Sequence, residues 1–223
     1  MRKEIKKFFT EYEARPLFNI RESSVLIPFI KGKDGEWHLL YQVRSQHVSQ
    51  VGDSSFPGGR IEEDESSEEA AIRETIEELQ IERDQLHILG EFDYIIGNNA
   101  IIHAYIGLID GLDIEEIHPD PAEVEQVYSL PLSYLLQEEP ERYRMSFAHH
   151  LDPDFPRERL QYAHEARYSS REEILYYPLE DYFLWGYTAS LTYRLVQVLK
   201  EMGFPREYLK ELKKEDSQSW LRK

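Results

Sequence analysis

Glu74, Glu77 and Glu78 stand at positions i, i+3 and i+4. On a helix that spacing puts three carboxylates on one face, and Ile72, Thr75, Ile76 and Leu79 on the other. Like charges so placed destabilise a helix slightly, and such local conflicts concentrate at functional sites. The run follows Gly58-Gly59, a pair that lets backbone come close to a ligand. Clustered carboxylate oxygens suit Mg²⁺ or Mn²⁺, hard cations that bridge protein and phosphate. Without an ion, the same pattern is an acidic face turned to water.

A helix over about 67–80 has to present these groups. Ser66 and Glu69 have the spacing of a capping box, which sets its start. Around it the pattern predicts strands at 24–30 and 36–43, joined as a hairpin through a Lys31–Gly35 turn. Residues 46–59 read as irregular. Further strands are predicted at 86–95 and 101–109 about an Asn98-Asn99 turn, and at 124–130, followed by a short helix at 132–136. A charged helix is expected over 2–14, loops with one or two short strands over 137–178, a long amphipathic helix over 182–202, and a polar helix after Gly203-Phe204-Pro205. The mixture indicates α/β or α+β.

The 223 residues carry 26 basic and 43 acidic side chains, a net charge of −17. That field opposes nucleic acid and anionic lipid, and it repels an anionic small molecule unless a bound cation reverses it locally. Cysteine is absent, which removes disulfides, thiol nucleophiles and thiolate-bound zinc. No secretory pattern or long apolar stretch is present, so the expected location is cytoplasmic. His149, His150 and His164 lack metal-ligand spacing.

Gly59, Glu65, Arg73, Glu74, Glu77 and Glu78 resemble the Nudix box: glycine, five residues, glutamate, seven residues, then Arg-Glu-x-x-Glu-Glu. Two positions depart, Thr75 at an aliphatic site and Gln80 at the final glycine. The resemblance implies an α/β/α sandwich around a mixed sheet and hydrolysis of a diphosphate linked to another moiety. It implies that Glu74, Glu77 and Glu78 hold Mg²⁺ or Mn²⁺, with the Gly59 carbonyl beside them, and that Glu65 and Arg73 form an orienting pair. The catalytic base would be one of the box glutamates, Glu74 or Glu78, or Glu123 from a later loop.

Leu39-Leu40-Tyr41-Gln42-Val43-Arg44-Ser45 and Gly52 to Phe56-Pro57-Gly58-Gly59 resemble the motif before the box in coenzyme A pyrophosphatases. Ser49 stands where that pattern has a second arginine, and the stretch from Ser45 to Gly52 is one residue short. Arg44, Ser45, His47, Phe56, Pro57 and Gly58 are the expected substrate contacts. The substrate implied is a nucleotide diphosphate of coenzyme A type, free or acylated; ADP-ribose, a dinucleotide, or nucleotide binding without cleavage are the alternatives. The domain is expected over 21–202, with helical additions at 1–20 and 203–223. The aromatic stripe from Phe183 to Ala189 reads as core or as the face of a homodimer.

Overall fold

The computed structural model describes residues 2–13, 17, 19–97, 99–148, 152, 154 and 169–204. Strand β1 (Arg21–Lys31) runs parallel to β6 (Ala100–Ile109), which pairs antiparallel with β5 (Leu86–Gly97). On its other side, β1 meets β2 (Trp37–Arg44) only at Phe29–Lys31, and the two then diverge. Two short strands serve the diverging ends: β3 (Ser54–Ser55) pairs with β2, and β4 (Gly58–Arg60) with β1. Strand β7 (Val124–Pro131) borders β2. Residues 46–59, expected to be irregular, therefore contain sheet. Short pairings of two or three residues leave too little alternation for a sequence pattern to register.

Helices cover both faces because β1 and β2 are apolar on both. Leu26, Ile30 and Leu40 pack with Ala71 and Leu79 of α2 (Ser67–Leu79). Their neighbours Ile27, Leu39 and Tyr41 pack on the other side with Leu132 and Leu135 of α3 (Leu132–Gln137) and Ala189 and Leu195 of α4 (Gly186–Glu201). This is a mixed α/β architecture with a central mixed sheet, as expected.

Helix α1 (Arg2–Thr10) ends before the expected residue 14, and its Ile5, Phe8 and Phe9 are exposed. The expected helix from residue 182 begins instead at Gly186. Phe183–Trp185 form a strand, β10, against Tyr176–Pro178 of β9 (Ser169–Pro178), which also pairs with β8 (Glu141–Ala148). Aromatic residues favour a pleated surface, and Gly186, at φ 62°, separates strand from helix. The stripe divides its roles: Leu184 and Ala189 are core, while Phe183 and Tyr187 are exposed. His149, His150, His164 and the polar helix expected after residue 205 lie outside the described residues. Among the described residues, no helix is long and apolar enough to cross a membrane.

Candidate active site

The capping box forms as expected: Glu69 N–H donates to Ser66 Oγ at 3.2 Å, and Ser66 N–H to Glu69 Oε2 at 2.8 Å. It sets the rotation of α2, and with it the positions of Arg73, Glu74, Glu77 and Glu78. The acidic side is not a free surface. Glu78 is only 4% exposed, because β4 and β2 close over it. Gly58 N–H and Gln42 Nε2 both donate to Glu78 Oε2, at 2.8 and 3.0 Å. Burial pushes this carboxyl up to about 7, and the charges of Glu74 and Glu123 push in the same direction. Glu74 is also raised by burial, against the pull of Arg73.

Arg73 organises the exposed side of the cluster. Its Nε and Nη2 grip Glu65 at 3.1 and 2.8 Å, a two-point pair of the kind expected from the motif. Its Nη1 donates to Glu74 Oε1 at 2.9 Å and Glu77 Oε2 at 3.1 Å, and Nη2 to the Arg60 carbonyl at 3.1 Å. Glu65 falls below the usual carboxylate range, chiefly through its hydrogen bond from Arg73. Gly59 lies directly against Glu74.

Glu123 comes near the other two acids through a tied-down loop. Asp120 N–H donates to the Glu78 carbonyl at 2.9 Å, Ser45 N–H to the Glu123 carbonyl at 2.9 Å, and Ser45 Oγ to the Ala122 carbonyl at 2.7 Å. Ser45 thus anchors the loop and is itself buried, while His47 is exposed. Arg44 and Phe56 line one cavity of about 370 Å³, with Val25, Met145, Trp185 and Leu191. Phe56 also stacks on Tyr41 with ring centroids 5.0 Å apart. Buried Pro57 accepts from Leu26 N–H at 2.9 Å. Sequence reasoning passed over Gln42 and Asp120. The available signal for Gln42 was a lone amide in the apolar run Leu39 to Val43.

Among the described residues, no three acidic or histidine side chains are gathered into one metal cage; Glu77 is turned to Arg73. The donor chemistry nonetheless fits a hard divalent cation. Every donor is an oxygen, and Glu74 and Glu78 hold their protons more tightly than ordinary carboxyls because both are desolvated, with Glu78 facing the charges of Glu74 and Glu123, and Glu74 those of Glu77 and Glu123. A bound cation relieves both conditions.

A family model described as NUDIX domain matches residues 20–149. A Nudix hydrolase NudL of Photorhabdus laumondii is 28% identical over 182 residues, covering 80% of this chain and 85% of that protein. The human mitochondrial coenzyme A diphosphatase NUDT8 is 32% identical over 125 residues, 54% of this chain and 52% of that protein. Among solved structures, a MutT/nudix family protein from Enterococcus faecalis aligns over 94% of this chain and 74% of its own, at 15% identity and a TM-score of 0.47.

Proposed function

The chain belongs to the Nudix family and is a pyrophosphohydrolase of diphosphate substrates, and from that premise we propose that it cleaves coenzyme A or an acyl-coenzyme A into 3′,5′-ADP and 4′-phosphopantetheine or its acyl form. One observation carries the reading. The Phe56–Gly59 segment, which resembles that of coenzyme A pyrophosphatases, places Phe56 in the wall of the cavity of about 370 Å³ and donates from Gly58 to Glu78. The name of the human relative, a coenzyme A diphosphatase, points the same way.

Glu74, Glu77 and Glu78 would hold Mg²⁺ or Mn²⁺, with the Gly59 carbonyl beside them. Such an ion, when bound, would neutralise phosphate charge and acidify the attacking water. Glu123 accepts a proton from the attacking water as its oxygen bonds to phosphorus. The bridging P–O bond breaks, and the departing phosphate leaves with its half of the substrate. Glu65 and Arg73 keep Glu74 and the box helix aligned. Arg44, which lines the cavity and donates from Nε to the Ser49 carbonyl at 2.7 Å, would offer the anionic substrate a cation against the −17 of the whole chain. A cytoplasmic location, with no nucleic-acid or membrane partner, belongs to this reading, and cell fractionation tests it.

The decisive assay is a panel of coenzyme A, acetyl-coenzyme A, ADP-ribose and a dinucleoside polyphosphate with Mg²⁺ or Mn²⁺. Cleavage of the coenzyme A species supports the proposal. Cleavage of ADP-ribose alone overturns the substrate and keeps the chemistry, and tight nucleotide binding without turnover overturns both.

A further inference from the structure

Gln42 sits in the middle of β2, 1% exposed, among apolar neighbours. Its Nε2 donates to Glu78 Oε2 at 3.0 Å, and the same oxygen accepts from Gly58 N–H at 2.8 Å. A carboxylate oxygen has two lone pairs, so Oε2 is filled. With Glu78 ionised, the form that binds a cation, the orientation of the amide follows: its oxygen cannot face the carboxylate, so the NH₂ does. The other end gains nothing from this. Gln42 Oε1 is buried and finds no hydrogen-bond partner among the described residues. A half-satisfied buried amide costs more than an apolar side chain of the same shape. Stability alone therefore does not account for a glutamine here, whereas the hold on Glu78 does.

We propose that Gln42 is a positioning residue that, with Gly58 N–H, ties down one oxygen of Glu78 and leaves Oε1 as the only oxygen of that side chain free to take a divalent cation. The inference rests on the reading of Glu78 as a metal ligand. Gln42 touches neither the ion nor the substrate; it acts by restricting Glu78 to one-point binding from a fixed direction. Partners of this kind behind a ligand commonly change metal affinity or activity by about 10- to 100-fold.

Gln42→Met preserves the shape and removes the donor. The test titrates Mn²⁺ into the metal-free wild type and variant by calorimetry, and separately measures kcat, KM and Tm at saturating Mn²⁺. The expected result is Mn²⁺ affinity lower by about tenfold or more, kcat lower by about 10- to 100-fold, and an unchanged KM. Tm should stay within a few degrees of wild type, since the orphaned oxygen leaves with the donor. Equal Mn²⁺ affinity and equal kcat in a folded Gln42→Met protein overturn the inference. A wild type that takes up no Mn²⁺ overturns the metal reading beneath it, a different outcome. If Gln42→Met does not fold, the claim that stability does not require this amide is wrong. Gln42→Asn, one methylene too short to reach Glu78, then decides the hold itself: unchanged Mn²⁺ affinity overturns it, and a tenfold loss supports it.

Discussion

Gly59 and Glu74 are in such close contact that a Cβ on the glycine would lie 2.3 Å from Glu74 Oε1. The obstacle is the far end of a flexible side chain, so Gly59→Ala moves the carboxyl and spares the backbone. Gly58 is the opposite case. A Cβ there would meet the Ser24 carbonyl at 2.3 Å and Val25 Cα at 2.6 Å, and its φ is +150°. Gly59→Ala should lower turnover at least tenfold with Tm within a few degrees of wild type. Gly58→Ala should cost roughly 2–3 kcal/mol or fail to fold. Thermal melts beside a rate measurement separate the two.

Helix α2 ends on a residue that its geometry disfavours. Gln80, where the Nudix box has glycine, is held at φ 54° and ψ 44°. The left-handed region costs a non-glycine residue about 1–2 kcal/mol, less what glycine loses in chain entropy. Gln80→Gly should therefore stabilise the protein by roughly 0.5–1 kcal/mol, raising Tm by a few degrees without changing turnover. Melting curves check this, and a lower Tm would contradict it.

Much of this was legible from residue types and spacing. The Ser66–Glu69 box and the alternation of apolar and acidic residues located α2, because capping and periodicity act within a few residues. The Glu65–Arg73 pair, eight positions apart, was legible only through the resemblance to the Nudix box. The burial of Glu78 was not. One turn of helix shows which residues share a face, but not that β2 and β4 would cover that face. Gln42 and Asp120 reach Glu78 from distant parts of the chain, and only the register of the sheet brings them there. The start of α4 was misread because Tyr182 to Trp185 continue the helical pattern, while Phe183 to Trp185 in fact pair with β9.

The raised carboxyl of Glu78 has a consequence for the metal-free protein. Folded Glu78 keeps its proton up to about pH 7, while in the unfolded chain it is released near 4.5. Between those values the folded state binds more protons, so stability falls as pH rises and levels off above 7. The loss should be on the order of 3 kcal/mol, with Glu74 adding in the same direction. Glu65 and Glu69, both lowered, contribute stability that is lost below about pH 4.5, outside this window. Urea midpoints in chelator from pH 4.5 to 8 check it, and a flat profile would contradict the burial argument.

Ser45 acts on the Glu123 loop, through its backbone N–H to the Glu123 carbonyl and its hydroxyl to Ala122. Ser45→Ala keeps the first bond and loses the second, together with the longer one that Ser45 Oγ accepts from His47 N–H at 3.2 Å. It should cost about 1 kcal/mol in stability and lower kcat several-fold more than it raises KM. Steady-state kinetics at saturating metal measure that split; a change in KM alone would make Ser45 a substrate contact instead.

The sequence alone suggests that Glu78→Gln would cost little stability because the acidic face is polar. The structure supplies another reason. A glutamine carbonyl can occupy the place of Oε2 and accept from both Gly58 and Gln42, leaving its NH₂ where Oε1 stood, and no charge remains to be desolvated. The fold should persist while the free oxygen is lost. The most direct measurement is the rate of 3′,5′-ADP release from coenzyme A at saturating Mg²⁺, wild type against Glu78→Gln, with Tm recorded for both. The expected result is a rate at least a thousandfold lower in the variant, roughly 4 kcal/mol of lost transition-state stabilisation, with Tm preserved. A folded variant that releases 3′,5′-ADP as fast as wild type would contradict the account.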